Sequence, residues 1–270
     1  MPENAPLLVA ALAGTGVAAG LLAGLIGVGG GIVVVPMLFF VFGALDVPTS
    51  AAMPIATGTS LATIIPTSLS SIRVHGRRGN VDTALVRRWA PTMVLGVVAG
   101  SLLVTVIDGR WLAPLFGAVA LTVALRMLLF ANAKPLTETL PNVVTQRLVA
   151  AIIGMLSVMI GIGGGTLGVP TLTAFNVPAR RAVGTAAAFG LVIALPGALV
   201  LLVAGDTPQT APAATFGLIN LVAVALIVPL SVSMAPVGAS IASRIDGARL
   251  KQIFAVALAV TGARLIGEIL

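Results

Sequence analysis

A glycine-rich stretch of ten residues occurs twice in this chain and restricts its fold more than any other feature. It reads GVGGGIVVVP at positions 27–36 and GIGGGTLGVP at positions 161–170, each time closing a long apolar segment. Consecutive glycines weaken a helix and free its backbone groups. Inside a membrane, free backbone groups are tolerated only where protein or a water-filled cavity covers them. Two such breaks at equivalent points of two halves are typical of the binding site of a membrane carrier.

The composition indicates a membrane protein. Of the 270 residues, 58% are hydrophobic and 9% are charged, and the mean hydropathy is +1.14. A soluble fold of this size could not bury so much apolar surface. The first apolar run follows a start without basic residues, so we expect it to remain as the first membrane segment rather than as a cleaved signal. With no cysteine, one histidine and eight carboxylates, the chain is predicted to be no enzyme and to bind neither a metal nor a cofactor.

Hydropathy divides the chain into ten apolar segments, five in each half. Those of the first half are 7–26, 32–45, 51–72, 89–107 and 111–131. Those of the second half are 144–160, 166–175, 182–204, 214–243 and 250–270. The second segment of each half is too short for a perpendicular helix that crosses a bilayer. It is predicted to be either tilted or part of a re-entrant hairpin, which leaves the number of spans open.

The basic residues predict the topology. The loop between the third and fourth segments carries a basic cluster: Arg73, His75, Arg77, Arg78, Arg87 and Arg88. Under the positive-inside rule this loop is cytoplasmic, and alternation from it puts twelve of the fifteen Lys and Arg residues on the same side. The net charge of +7 is thereby explained without a nucleic-acid partner. Because each half has an odd number of segments, the two halves should be inverted repeats.

Identities between the halves extend beyond the glycines. Seven residues from Pro91 to Arg126 match seven from Pro229 to Arg264 at one constant offset of 138. An A-x-G-T element also occurs twice, beginning at Ala56 and at Ala182. The predicted organisation is a first repeat at 1–131, a linker at 132–143 and a second, inverted repeat at 144–270.

In these motifs the chain resembles the sulfite exporter TauE/SafE family of membrane proteins. The shared pattern is a GxGGG-x4-P element that ends a hydrophobic segment, a Pro-containing turn, and then A-x-G-T-[SA]. The resemblance covers nearly the whole chain. It implies an all-helical protein that moves sulfite, sulfoacetate or another small organic or sulfur-containing anion across the inner membrane, with export favoured.

The two glycine runs are the first candidate substrate site. Their candidate residues are Gly29, Gly30 and Gly31 in the first half and Gly163, Gly164, Gly165 and Thr166 in the second. Helix starts present unpaired N–H groups and the positive end of the helix dipole, so they can bind an anion without a charged side chain. Thr166 adds a hydroxyl where its repeat mate Ile32 has none, which predicts unequal half-sites. The alternative role is close helix packing, which we prefer for Gly20, Gly24, Gly96 and Gly100.

A second candidate set combines glycine with hydroxyl side chains. Its members are Thr57, Gly58, Thr59 and Ser60 in the first half and Gly184 and Thr185 in the second. The hydroxyls can bind an oxyanion or can bond to a carbonyl of the preceding turn, and both interpretations stand for Thr59 and Thr185. Ser60 is the weaker candidate because Ala186 takes its place in the second half.

Arg126 and Arg264 are the charges nearest the membrane interior. They could act as paired anion gates, but each lies near a segment end, so we favour snorkelling to the interface. Arg264 is expected to pair with Glu268 on one helix face. His75 is interpreted as a solvated loop residue rather than a proton relay.

The sequence therefore predicts an all-α, polytopic protein of the cell inner membrane, built of two inverted repeats with glycine-broken helices. Its predicted function is secondary transport of a small anion. The alternatives are an anion channel and a membrane assembly factor. The expected partners are the anion and the lipid bilayer, and a homodimer is compatible with these features.

Overall fold

The computed structural model describes residues 5–26, 30–129, 136–137, 139–242 and 247–267. The described part contains ten α-helices. Those of the first half are α1 (Ala5–Ile26), α2 (Gly31–Gly43), α3 (Thr49–Arg77), α4 (Thr83–Val106) and α5 (Gly109–Leu129). Those of the second half are α6 (Val143–Met159), α7 (Gly164–Ala174), α8 (Ala179–Val203), α9 (Leu221–Ala242) and α10 (Gly247–Gly267).

The helices confirm the predicted all-α membrane fold, and each predicted segment corresponds to one helix. Among the described residues, four stretches are long and apolar enough to cross a membrane: Pro6–Leu25, Thr83–Val106, Ala179–Val203 and Leu221–Ile241. The second helix of each half is short, with 13 residues in α2 and 11 in α7. Pro54, Pro66 and Pro196 do not interrupt α3 and α8, which run through them as single helices.

The two short helices end in the same way. Asp46 follows α2 and Asn176 follows α7, and both have a left-handed backbone, with φ of 59° and 61°. Asp and Asn tolerate this conformation better than other residues with a side chain. One residue later, Val47 N–H and Val177 N–H each bond to a carbonyl of the preceding helix at 3.0 Å. The two Val-Pro pairs, Val47-Pro48 and Val177-Pro178, therefore occupy equivalent turns.

The helix containing the start of the basic cluster is longer than predicted. α3 continues to Arg77, so His75 lies in its last turn, where the side chain is buried with 6% exposure. The interpretation of His75 as a solvated loop residue is wrong, because the neighbouring helices cover this turn. Arg87 and Arg88 also lie in a helix, since α4 begins at Thr83.

The ninth helix begins later than the apolar segment 214–243 suggested. Thr215–Phe216 pairs antiparallel with Ile219–Asn220 in a short hairpin before α9. The Asn220 side chain then accepts a hydrogen bond from Ala223 N–H at 2.9 Å, which caps the start of α9. Asp82 caps α4 in the same way, since its carboxylate accepts from Leu85 N–H at 3.0 Å.

The helix contacts follow the correspondence between the two halves. The most extensive contacts pair α1 with α9, α4 with α6, α5 with α10, and α3 with α8. If α1–α5 are exchanged with α6–α10, this set of pairs is unchanged, as a two-fold axis between the halves would require. Small residues allow the close approach: Gly20 packs on Ser231 of α9, and Gly96 packs on Ala151 of α6.

Polar contacts mark the two ends of α3. At its basic end, Arg78 donates to the Ala239 carbonyl at 3.3 Å, and Asp82 pairs with Arg181 at 2.7 Å. At its other end, Gly109 packs on Ser50 and Pro54. Beside Gly109, hydrogen bonds from Arg110 hold the pKa of the exposed Asp108 carboxyl below its usual value. The Asp108-Gly109 turn therefore lies at the end of α3 away from the basic cluster.

The predicted topology can be tested with single cysteines, because the native chain has none. Thr83→Cys and Gln252→Cys are expected to react with a membrane-impermeant thiol reagent from the cytoplasmic side, and Gln209→Cys from the outside. All three positions are exposed. Reaction of the first two cysteines from opposite sides would contradict the inverted-repeat arrangement.

Candidate functional site

The second helix starts on a glycine that no other residue type replaces easily. Gly30 caps α2 with φ of 78°, in the left-handed region that glycine enters at little cost. Its carbonyl accepts from Val33 N–H at 3.0 Å and from Val34 N–H at 3.2 Å. No side chain of the described residues caps this helix start.

The break before α7 has the same chemistry in a different conformation. Gly161 is left-handed, with φ of 65°, and Ile162 N–H bonds back to the Ser157 carbonyl at 2.9 Å. Gly163 then caps α7 from an extended backbone, again without a capping side chain from the described part of the chain. Both short helices therefore begin on bare backbone N–H groups.

The two breaks touch each other in the middle of the bundle. A Cβ added at Gly31 would lie 2.6 Å from the Gly161 carbonyl oxygen and 2.9 Å from Ile64 Cδ1. Gly164 packs on Phe189 and Gly190 of α8. Since Ile64 and Phe189 lie near the middles of α3 and α8, both short helices start at mid-depth. α2 then leads to the start of α3 and α7 to the start of α8, so they run towards opposite ends.

The contacts at these glycines also show a packing role. A valine at Gly30 would meet the Ala19 Cβ at 2.8 Å, and one at Gly164 would meet the backbone of α8. From sequence, anion binding and close helix packing are alternative roles for these glycines. In the structure, both Gly30 and Gly164 have a packing role, because neither position has room for a side chain. Gly29 lies outside the described residues.

The middle of α3 packs against the second break. Ser60 Oγ donates to the Gly161 carbonyl at 2.7 Å, and the Thr57 Cα lies 2.8 Å from where a Cβ at Gly161 would be. From sequence, Ser60 was the weaker candidate for substrate binding, because Ala186 takes its place in the second half. It is nevertheless the α3 hydroxyl that bonds directly to the break.

Two of the predicted threonines keep free hydroxyl groups beside the breaks. Thr57 and Thr166 are 0% and 1% exposed, and neither Oγ1 has a hydrogen-bond partner in the described part of the chain. An unsatisfied buried hydroxyl costs about 1–3 kcal/mol. Such groups are candidates for contact with a ligand, because a ligand would supply the missing partner.

A narrow pocket lies against the second break. It is lined by Ile32, Phe116, Val119, Ala120, Ile160, Ile162 and Thr166. The repeat mates Ile32 and Thr166 thus face one shared space, in which the Thr166 side chain is the polar one. The pocket has no room for a sphere the size of water, so the junction is closed in this conformation.

The A-x-G-T elements hold the caps of the fourth helix of the opposite half. Thr59 Oγ1 accepts from Asn220 N–H at 2.9 Å, and Thr185 Oγ1 accepts from Asp82 N–H at 3.0 Å. The glycine before each threonine packs on the same loops, since Gly58 meets the Leu218 carbonyl and Gly184 meets the Asn80 carbonyl. These matching contacts give the four residues a structural role, while their role in substrate binding stays a prediction.

The two membrane arginines lie away from the junction. Arg126 and Arg264 are exposed, and the Arg264 guanidinium lies 6.0 Å from the centre of the Phe40 ring. The predicted partner of Arg264, Glu268, lies outside the described residues. No hydrogen bond or ion pair joins either arginine to the described residues of the breaks.

Comparison with known proteins agrees with this architecture. The sulfite exporter TauE/SafE family matches residues 12–265. The chain belongs to this family. A probable membrane transporter protein of Haemophilus influenzae is 34% identical over 245 residues, which cover 91% of this chain and 93% of that protein. The protein is therefore a membrane transporter of the TauE/SafE family.

Two further relatives carry the same description. A probable membrane transporter protein of Xylella fastidiosa is 32% identical over 191 residues, covering 67% of this chain and 71% of that protein. One of Bacillus subtilis is 25% identical over 272 residues, covering 94% and 95%. No solved structure matches the chain.

This TauE/SafE protein also has an aromatic pair at the second break that the sequence did not suggest. Phe189, which packs on Gly164, stacks on Trp89 of α4 at 5.4 Å between ring centres. Trp89 is fully buried and donates from Nε1 to Gln146 Oε1 at 3.1 Å. The two aromatic residues lie 100 positions apart, so only the fold reveals the pair.

The role of Thr59 and Thr185 can be decided by substitution. Thr59→Val or Thr185→Val removes the acceptor of a buried N–H and is expected to cost about 1–3 kcal/mol of stability, seen as a lower Tm. Thr122→Val is the control, because that exposed hydroxyl bonds only to the Ala118 carbonyl of its own helix. Lost anion binding with an unchanged Tm would instead assign the two threonines to the substrate.

Proposed function

We propose that this protein is a carrier for a small anion, with its binding site at the junction of the two glycine breaks. The supporting observation is that two helix N-termini meet at mid-depth on backbone N–H groups without a side-chain cap. Each N-terminus carries roughly half a positive charge from the helix dipole. Two such ends facing one space attract an anion and repel a cation.

The surroundings of the junction agree with this sign of charge. The carboxylates in the described ranges belong to Asp46, Asp82, Asp108 and Asp206, and all lie at helix ends or in loops away from the breaks. The hydroxyls of Thr57 and Thr166 can donate to an oxyanion. Because no described Lys or Arg side chain contacts the breaks, binding should be moderate, which allows the substrate to leave on the other side.

We further propose that the anion has a short apolar part, which would contact the residues around the junction once the helices move apart. Hydrocarbon side chains form most of the pocket lining, among them Phe116, Val119 and Ala120. An organosulfonate would place its charged head at the helix starts and its carbon chain against these residues. The family description supports sulfite or a related compound as substrate, and export from the cytoplasm as direction. We assign the protein to the inner membrane as a multi-pass carrier.

The closed junction limits how an anion could pass. A continuous pore is not formed at the junction pocket in this conformation, because the pocket does not admit a water-sized sphere. Substrate passage therefore requires the helices around the breaks to move. Rocking of one half against the other would expose the junction to each side in turn.

Transport by the purified protein in liposomes tests this proposal. We expect saturable uptake of labelled sulfite or sulfoacetate that is accelerated when unlabelled anion is present on the other side. A carboxylate of similar length and empty liposomes are the controls. Unitary currents in a planar bilayer would indicate a channel. Failure of every anion tested, together with no anion-dependent rise in Tm, would favour an assembly factor.

The two half-sites can be compared by substitution of the repeat mates that share the pocket. Thr166→Val removes a hydroxyl donor and is expected to raise the Kd for the anion about tenfold to a hundredfold, since a hydrogen bond to a charged group contributes about 1.5–3 kcal/mol. Ile32→Val, the matched control, removes only one methylene and should change the Kd far less.

The chain contains a suitable optical probe for this measurement. Trp89 is buried beside the second break, whereas the other tryptophan, Trp111, is 72% exposed. In a Trp111→Phe background, titration with sulfoacetate should therefore change the Trp89 emission. Small, equal changes of Kd in the Thr166 and Ile32 variants would place the anion away from this pocket.

A further inference from the structure

One face of α3 carries a row of buried polar side chains. Apart from the adjacent pair Thr67 and Ser68, its members recur at intervals of three, four or seven residues, the spacing of one helix face. They are Thr57, Ser60, Thr67, Ser68, Ser71 and His75, and all are between 0% and 6% exposed. The row from Ser60 to His75 spans about 22 Å at 1.5 Å per residue.

The row connects the junction to the basic end of α3. Ser60 bonds to the second break, as described above. Further along, Ser68 Oγ lies 2.6 Å from where a Cβ at Gly190 would be, and Gly190 adjoins Gly164 at the start of α7. Thr67 bonds to Ser231 of α9 at 2.9 Å. His75, near the end of the row, lies beside the backbone of Gly24 in α1.

Several side chains in this row lack hydrogen bonds. Ser68 Oγ and Ser71 Oγ have no partner in the described part of the chain. Their helix does offer partners, because Thr63 and Thr67 each bond to a carbonyl of the preceding turn at 2.8 Å. Buried polar groups are normally satisfied, so these unpaired groups point to contacts made in another conformation.

The corresponding face of α8 does not have this row. With the offset that aligns Thr59 with Thr185, Ser68 corresponds to Ala194 and Ser71 to Gly197. His75 corresponds to Leu201. A purely architectural need for small side chains would be met by alanine or glycine on both helices. The hydroxyls are confined to the helix that ends in the basic cluster.

Positive charge surrounds the end of the row. Arg73, Arg77 and Arg78 are exposed around the last turns of α3. The residues that the two neighbouring helices bring to this end, Gly24 of α1 and Ala239 of α9, are uncharged. Asp82, the described carboxylate at this end of α3, is paired with Arg181 at 2.7 Å. The unpaired charges that an anion meets at the end of the row are therefore those of the arginines.

We propose that the α3 row lines the cytoplasmic access route of the anion, with Ser68 and Ser71 as its hydrogen-bonding positions between the junction and the basic cluster. The route opens when α3 separates from α8 and α9, which cover it in this conformation. This inference rests on the proposed transport function and names the side of the protein through which the anion reaches the site.

Thiol modification tests the route without a transport assay. Ser68→Cys and Ser71→Cys each introduce the only cysteine of the chain. In membrane vesicles, each is treated from either side with one of two methanethiosulfonate reagents, one carrying an ethylsulfonate group and the other an ethyltrimethylammonium group. We expect both cysteines to react from the cytoplasmic side, with the anionic reagent favoured on the order of tenfold after correction for reaction with free thiol.

Two matched variants serve as controls. Leu69→Cys lies next to Ser68 on the outer surface of α3, where the side chain is 39% exposed, and Ala255→Cys is a fully buried position of α10, which packs mainly on α5. Both should stay unreactive. Tm and gel filtration establish that each variant is folded, and the two serine positions serve as independent tests should one substitution disturb the fold.

The outcomes separate the route from the transport function. The route is overturned if folded Ser68→Cys and Ser71→Cys react with neither reagent, react only from outside, react equally with the cation, or react no faster than the controls. Anion-selective reaction combined with no transport of any tested anion would overturn the transport proposal and leave the route. Demonstrated transport with unreactive cysteines would overturn the route alone.

Discussion

Backbone polar groups that leave a helix inside a membrane must be covered by protein, and this requirement organises the structure. The two short helices start at mid-depth, and each break covers part of the other: Gly31 lies against the Gly161 carbonyl, which also accepts the Ser60 hydroxyl. Long helices must surround this contact on all sides. α3 and α8 therefore occupy the centre, and the remaining long helices pack around them in pairs.

The glycines at the breaks meet two requirements, close helix packing and exposed backbone N–H groups. Close packing requires that no side chain stand at Gly31 or Gly164, and anion binding requires bare N–H groups at the same helix starts. Both demands are met by the same residue type, so a packed, closed junction is also an unblocked binding surface once the helices move apart. For the proposed anion site, close packing and an open binding surface would therefore depend on the same residues.

Hydropathy and glycine spacing predicted the ten helices, the short second helix of each half and the position of both breaks, because these features depend on composition along the chain. Contacts between distant residues were not accessible in this way. For Thr59 and Thr185 the sequence left open a bond to an oxyanion and a bond to the preceding turn. It did not predict that each accepts from the cap of a helix in the other half. His75 was placed in solvent because its neighbours are arginines, whereas helices distant in sequence bury it. The spacing of Ser68 and Ser71 is visible in the sequence. Only the structure shows that Ser68 packs against Gly190, which adjoins the second break.

The confinement of hydroxyl groups to α3 makes the two halves unequal in a way that affects kinetics. A carrier that spends no other energy source must bring the anion to the same final ratio of concentrations whichever face is more polar. The rate constants for loading and release of the anion can differ between the two faces. At equal electrochemical potential, however, the product of the rate constants in one direction around the cycle must equal the product in the other direction. Hydroxyls on one side would thus give the protein a different half-saturation concentration at each membrane face. Since the ratio of maximal rate to half-saturation concentration must be the same in both directions, the direction with the higher half-saturation concentration would also have the higher maximal rate, and the two directions would differ only at high substrate.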